Sequence, residues 1–328
     1  MKKKNIKILV TLGPSSLNKD FLKFCAVENV SLLRLNMSHI EPLNLYKTVN
    51  FIRKYNSKTP ICIDTEGAQI RTKVGKKIKL KKNKKFFIYN KKNKISLYPN
   101  ETFKLLNLGD ELLIGFENLS AKVTKKLINK IELVTLTEGL LENNKGVHLK
   151  NRKISLDYLT KKDFESIEIS KKMDIANYAL SFTNSHRDIL KFNQILKNES
   201  KIFKIETYNA IKNLDKIIKN GNQFLIDRGD LSKEVKIEKI PTFQRKIINS
   251  VKKFKNKQVY VATNLLESMI TNINPTRAEA NDIFNCLELG ADGLVLAAET
   301  AIGKFPKEAV LFLKKIIFEF KRYKNEKK

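Results

Sequence analysis

Residues 202–206 read Ile-Phe-Lys-Ile-Glu. Side chains alternate faces along a strand, so Lys204 and Glu206 point one way while Phe203 and Ile205 point the other. Other apolar runs also close on polar groups: "RLNMSH" (Arg34, Asn36, Ser38, His39), "DTEGAQIR" (Asp64, Thr65, Arg71), "DRGD" (Arg228, Gly229, Asp230), "ATN" (Thr263, Asn264) and "AAET" (Glu299, Thr300). Glu206 and Asp230 form a two-carboxylate set that leaves water positions open, as Mg²⁺ tolerates because it dehydrates reluctantly. Lys204, Arg34 and Arg71 are the groups that transfer of a phosphoryl needs, since that chemistry is mostly positioning and charge neutralisation. The set fits phosphoryl transfer, or stabilisation of an enolate beside a metal. Each part has a plainer explanation as well. Lys204 with Glu206 also fits a structural ion pair or a solvated strand face, and Asp230 fits a cap. Thr276 with Glu279 in "PTRAE" reads as a helix-capping box, and the lone His148 and His186 read as surface or packing residues.

Gathering these groups requires parallel strands with a common end. Strand-like runs occur at 6–12, 30–37, 59–65, 175–182, 201–206, 223–228, 258–263 and 293–298. Helix-like segments with apolar residues at three- and four-residue spacing separate most of them, including "EPLNLYKTVNFIRKYN" and "YNAIKNLDKIIKNG". Repeated strand–helix alternation implies parallel β-α units, and eight of them close into a (β/α)₈ TIM barrel of class α/β, with its chemistry at the C-terminal strand ends. An open doubly wound sheet would better suit a glycine-rich first turn, whereas "TLGPSS" holds one glycine. Residues 73–148 alternate as strands do, with turn signals such as Asn107-Leu108-Gly109-Asp110. They predict a small all-β domain inserted after strand three, with barrel segments at 1–72 and 149–328.

Composition narrows the class further. The 328 residues are 42% hydrophobic, and no apolar run reaches the roughly 18 residues of a membrane span. The start "MKKKNIKILVTLGPSS" continues as a strand, without a signal-peptide cleavage pattern. Cys25, Cys62 and Cys286 lie far apart with no zinc-like spacing, which predicts a reduced, cytoplasmic protein. The formal charge of +30 is spread along the chain with no Arg-rich stripe or reader motif. That spread argues against specific nucleic-acid binding and suits anionic small substrates.

The chain resembles the pyruvate kinase family. The matching stretches include "VTLGPSS", "LLRLNMSH", "IDTEGAQIRT", "LGDELLI", "KGVHL", "SFTNSHRD", "KIET", "DRGDL", "VATNLLESMITNINPTRAEANDIFN" and "AETAIGKFPKEAV", collinear from residue 8 to residue 310. The resemblance implies transfer of phosphate from phosphoenolpyruvate to ADP in glycolysis, giving pyruvate and ATP, with a mobile β lid after strand three. It implies that Lys204 stabilises the phosphoryl in flight, that Arg34 and Arg71 bind phosphate, and that Glu206 and Asp230 hold Mg²⁺ or Mn²⁺. Thr263 would sit near the carbon that is protonated, and the N–H groups around Gly229 and Asp230 would receive the substrate carboxylate. Asn36, Ser38, Asp64 and Thr65 would hold K⁺, with His39, Lys145 and Arg34 near the nucleotide. The alternatives are a metal-dependent enolate lyase or aldolase on the same barrel, and a catalytically weak binding protein of the family.

Several positions depart from the family's pattern. Glu66 stands for the usual lysine and Ala68 for the proline in "DTEGAQ". Gln69 is neutral where the family's charge separates members that need K⁺ from those that do not. Asp227 replaces the alanine before Arg-Gly-Asp, Thr207 follows Lys-Ile-Glu, and "AAET" stands for Ser-Gly-Glu-Thr. The family's C-terminal effector domain has no counterpart in these residues, which leads to the expectation of a monomer or a barrel-to-barrel homodimer without sugar-phosphate activation.

Overall fold

The computed structural model describes residues 5–91, 94–115, 119–150, 152, 154 and 156–326. The chain divides into two compact units, Met1–Gly67 with Lys161–Lys328, and Ala68–Thr160.

The larger unit is a closed barrel. Its strands are Lys7–Leu12, Leu32–Asn36, Ile61–Asp64, Asn177–Leu180, Ser200–Ile205, Gln223–Asp227, Gln258–Ala262 and Gly293–Leu296. They correspond one for one to the eight runs in the sequence. Each pairs in parallel with the next, and the eighth closes on the first through Lys7 opposite Gly293. Leu9, Leu32, Cys62, Ala179, Ile202, Leu225, Tyr260 and Val295 form one buried cluster drawn from all eight strands. The intervening residues face outward; Phe203, for example, meets Phe192 of the helix His186–Ile195 edge-on at 6.3 Å.

The period of two decides what lies above that cluster. Two residues further along each strand come Thr11, Arg34, Asp64, Ser181, Lys204, Asp227, Ala262 and Ala297. On six of the eight strands the barrel interior therefore changes from an apolar layer to a polar one at the C-terminal ends, with Arg34, Asp64, Lys204 and Asp227 carrying charge, while the last two strands contribute only alanines.

Most helices follow the predicted segments, with one difference. The segment 208–221 forms two helices, Tyr208–Lys212 and Leu214–Asn220. At the break, the Asn213 amide donates to the main-chain oxygens of Asn184 and Asn209, at 3.0 and 3.1 Å. Asparagine's ability to bond nearby backbone competes with helix continuation there.

The smaller unit has a seven-stranded antiparallel sheet in the order Lys85–Tyr89, Lys130–Thr135, Leu119–Lys126, Glu111–Ile114, Gly146–Leu149, Ile70–Lys73 and Ser96–Tyr98. Ile88, Leu112, Ile114, Leu133 and Val147 belong to its core. Ile70–Lys73 pairs with strands on both sides of it, which is why this unit begins before residue 73.

Candidate active site

Lys204 is the hub of the charged layer. It is 3% exposed, and its ammonium lies 3.0 Å from Glu206, 3.3 Å from Asp227 and 3.6 Å from Asp64. It also donates to Ser181 Oγ at 3.2 Å, and that hydroxyl donates to Asp64 Oδ1 at 3.2 Å. Burial alone would lower the lysine's pKa, but the Asp64, Glu206 and Asp227 carboxylates outweigh it and raise the pKa. The face carrying Lys204 and Glu206 is thus a buried, paired site and not a solvated strand surface.

The carboxylates differ in their anchoring. Asp64 Oδ2 accepts from Arg34 Nε at 2.7 Å and pairs with its Nη2, while Arg34 Nη1 donates to Thr11 Oγ1 at 3.0 Å. Glu206 Oε1 accepts from the Phe182 N–H at 2.5 Å. Burial pushes the Glu206 pKa up, the Lys204 charge pulls it down, and Asp227 and Asp230 add to the rise, leaving it above the usual carboxylate range. Carboxyl oxygens of Glu206, Asp227 and Asp230 lie within 4.8 Å of one another, a grouping that fits a divalent cation.

A turn with unusual backbone completes this side. Thr263 has φ +68° and Asn264 φ +53°; asparagine tolerates such a value, but it is rare for a β-branched residue such as Thr263. Arg228 holds the turn by donating to Thr263 O from Nε at 3.1 Å and Nη2 at 2.7 Å, and to Asn264 O at 3.1 Å. Its Nη1 pairs with Asp282 at 2.6 Å. Thr263 Oγ1 accepts from the Gly229 N–H at 2.8 Å, and Asp227 Oδ1 caps the following helix by accepting from the Asp230 N–H at 3.5 Å. Asp230 is also paired with Lys233 at 2.6 Å.

The barrel therefore brings together Arg34, Asp64, Lys204, Glu206, Gly229, Asp230 and Thr263. Asn36 lies in register with Asp64 on the neighbouring strand, and its side chain accepts from the Ser38 N–H at 3.0 Å. Thr65 Oγ1 accepts from the Ser181 N–H at 3.0 Å. His39 is exposed just past this strand end. Arg71 and Lys145 belong to the smaller unit, where Arg71 pairs with Gly146, the residue after Lys145, and Lys145 meets Glu142 at 3.2 Å. Glu299 is a structural staple, accepting from the Leu266 and Ala297 N–H groups at 3.1 and 2.7 Å. Thr276 and Glu279 form the expected capping box.

Ser181, Asp163 and Asp282 escaped the sequence reading. Ser181 was detectable, because it continues the interior face of the fourth strand two residues beyond Ala179. Asp163 and Asp282 act through contacts distant in sequence and carry no local signal. The three cysteines are free and buried. Burial pushes the Cys25 and Cys286 thiols up to about 12 and the Cys62 thiol higher still, so none is a ready nucleophile.

A parallel eight-stranded barrel with a lysine among carboxylates at its C-terminal mouth belongs to a broad class of barrel enzymes. Residues 3–310 match the family model "Pyruvate kinase, barrel domain". The chain is 32% identical over 323 residues to plastidial pyruvate kinase 3 of Arabidopsis thaliana, covering 94% of this chain and 56% of that protein. It is 32% identical over 335 residues to the pyruvate kinase of Thermotoga maritima, covering 96% of this chain and 71% of that protein. The corresponding enzyme of Thermococcus litoralis is 31% identical, covering 97% and 70%. The chain belongs to the pyruvate kinase family.

Proposed function

We propose that this protein transfers a phosphoryl group from phosphoenolpyruvate to ADP, giving pyruvate and ATP. The observation that carries the reading is Lys204, a charged ammonium held at the barrel mouth beside the Glu206, Asp227 and Asp230 carboxylates. Lys204 neutralises the phosphoryl oxygens as charge moves between donor and acceptor. The Gly229 and Asp230 N–H groups orient the substrate carboxylate at a helix start, and the Thr263 hydroxyl holds a proton beside them. Arg34 fixes Asp64 and adds positive charge, and Arg71, His39 and Lys145 serve phosphate and nucleotide.

Glu206 and Asp230 would hold Mg²⁺ or Mn²⁺, which supplies Lewis-acid charge to phosphate and enolate oxygens. Asn36, Ser38, Asp64 and Thr65 would hold K⁺. Among the described residues no helix is long and apolar enough to cross a membrane. The proposed enzyme is cytoplasmic and acts on small anions, which suits the formal charge of +30. A monomer or a homodimer through the barrel fits this reading.

The test is pyruvate formation from phosphoenolpyruvate, ADP and Mg²⁺, with and without K⁺, for the protein and its Lys204→Met variant. Turnover that disappears in the variant is expected. Absence of pyruvate from folded protein under every condition overturns the reading.

A further inference from the structure

The sheet of the smaller unit carries a patch that the barrel chemistry does not use. On its strand Lys85–Tyr89, Phe86 and Ile88 belong to the core of that unit. The alternate residues Phe87 and Tyr89 therefore face outward, half-buried, with ring centres 6.2 Å apart and ring planes at 49°. Register sets Lys130 opposite Tyr89 and Glu132 opposite Phe87, and on the following strand Lys125 lies opposite Glu132. The ammonium of Lys130 stands 4.7 Å from the centre of the Phe87 ring, and that of Lys94 stands 4.5 Å from the centre of the Tyr89 ring. Lys85 lies two residues before Phe87 and meets Glu132 at 3.6 Å. Cations that are spread over residues 85–130 in the sequence are thus gathered by folding around two aromatic rings.

We propose that this face binds single-stranded RNA without regard to base sequence, one base lying on Phe87 and the next on Tyr89, with the lysines on the phosphates. Every base has a π-face, so stacking on a ring accepts any of them. The ring separation selects the form of the strand. Successive bases of a duplex strand lie about 3.4 Å apart along its axis. Two neighbours can each reach a ring 6.2 Å from the other only where they splay apart, as the bases of a single strand do. In the free protein the two ammonium groups cover the rings, and that attraction is weak at an exposed site. A phosphate offers each lysine a full negative charge, and the lysine that moves to it uncovers the ring for a base. RNA is the occupant because the enzyme proposed above is cytoplasmic; nothing else in the proposal rests on that reading.

Anisotropy of a short labelled oligouridylate on the full chain tests this, beside a labelled inorganic polyphosphate that carries the charge but no bases. The double variant Phe87→Leu with Tyr89→Leu keeps the charge and the apolar contact and removes the rings. It should bind the oligouridylate at least about tenfold more weakly, with polyphosphate binding held within about twofold of the unaltered protein. Lys94→Gln with Lys130→Gln changes exposed groups only and stays informative if the leucine variant fails to fold. It should lower the slope of log K against log salt by about 0.7 for each lysine removed. Oligouridylate binding that is unchanged in the leucine variant overturns the proposal, because it would mean attraction to the overall charge alone. So does an equal loss of polyphosphate binding in that variant, or an unchanged salt slope in the glutamine variant. Tighter binding of an oligodeoxyuridylate than of the oligouridylate would make DNA the occupant and overturn the assignment to RNA.

Discussion

Arg228 donates from two nitrogens to the main-chain oxygen of Thr263, at 3.1 and 2.7 Å, and so clamps a β-branched residue at φ +68°. A left-handed threonine costs about 1–3 kcal/mol and persists only where its surroundings over-determine it. The clamp is itself steered by Asp282 at 2.6 Å. Arg228→Met leaves the Thr263 and Asn264 carbonyls without these donors, and should cost about 3 kcal/mol of stability. Pyruvate formation should fall about tenfold to a hundredfold, mainly in kcat, because the hydroxyl of Thr263 shifts while the other anion-binding groups stay in place. Asp282→Asn should give a smaller loss in the same direction. Equal kcat in Arg228→Met and the unaltered protein would show that the turn keeps its shape without the clamp.

Asp163 accepts the Glu66 N–H at 2.6 Å on one oxygen and the Gly67 N–H at 3.0 Å on the other. It therefore fixes the turn that follows the third barrel strand, where Gly67 has φ +72°. Hydrogen bonds from backbone N–H groups to a buried charge contribute about 1.5–3 kcal/mol. Asp163→Ala should lower unfolding stability by about 3 kcal/mol, and Asp163→Asn, which presents an N–H to one of these donors, should come close to that loss. A denaturant midpoint unchanged in both variants would remove Asp163 from this role.

The eight barrel strands were legible because parallel strands buried on both faces leave short apolar runs between amphipathic helices. Lys204, Glu206 and Asp230 stood out because charge at the end of such a run has few uses. Ser181 was harder to see, since a serine after "YAL" looks ordinary until barrel register places it between Asp64 and Lys204. Asp282 lies 54 residues from Arg228, and nothing local announces the pairing. The lower limit of the smaller unit was obscured because Ile70–Lys73 spans four residues and follows the third barrel strand too closely for its alternation to mark a break.

Within the smaller unit, Arg152 grips Asp110 with two nitrogens, at 2.9 and 2.7 Å, and the Asn107 N–H adds a third bond at 2.7 Å. Burial pushes the Asp110 pKa up, but the Arg152 and Asn107 hydrogen bonds outweigh it and lower the pKa. A depressed carboxylate pKa contributes stability that is complete above the unfolded value, near pH 4, and is lost as pH falls through the folded value. Asp110→Asn should therefore destabilise by about 1–2 kcal/mol at pH 7, and the difference from the unaltered protein should shrink below about pH 4. Thermal unfolding of both proteins across that range checks it. A difference that grows on acidification would contradict the assignment.

Gly13 and Gly75 differ in the space a methyl group would find. A Cβ on Gly13, just past the first barrel strand, would lie 2.5 Å from Ala301 O and 2.8 Å from Ala301 Cβ, whereas at Gly75 it would meet nothing within 4 Å. The Gly13 turn is already tied to Ala301 O by the Ser15 N–H at 3.0 Å and to Ser16 Oγ at 3.0 Å. It cannot back away from Ala301 without breaking the Ser15 bond, while the Ser16 bond keeps the turn itself rigid. Gly13→Ala should cost about 1–3 kcal/mol through overpacking against backbone. Gly75→Ala should be neutral or stabilising by up to about 1 kcal/mol, since it restricts the unfolded chain and clashes with nothing. Denaturant unfolding of the two variants side by side separates the outcomes, and a Gly13→Ala protein as stable as Gly75→Ala would mean that the first-strand turn and the segment Ala298–Ala301 can move apart freely.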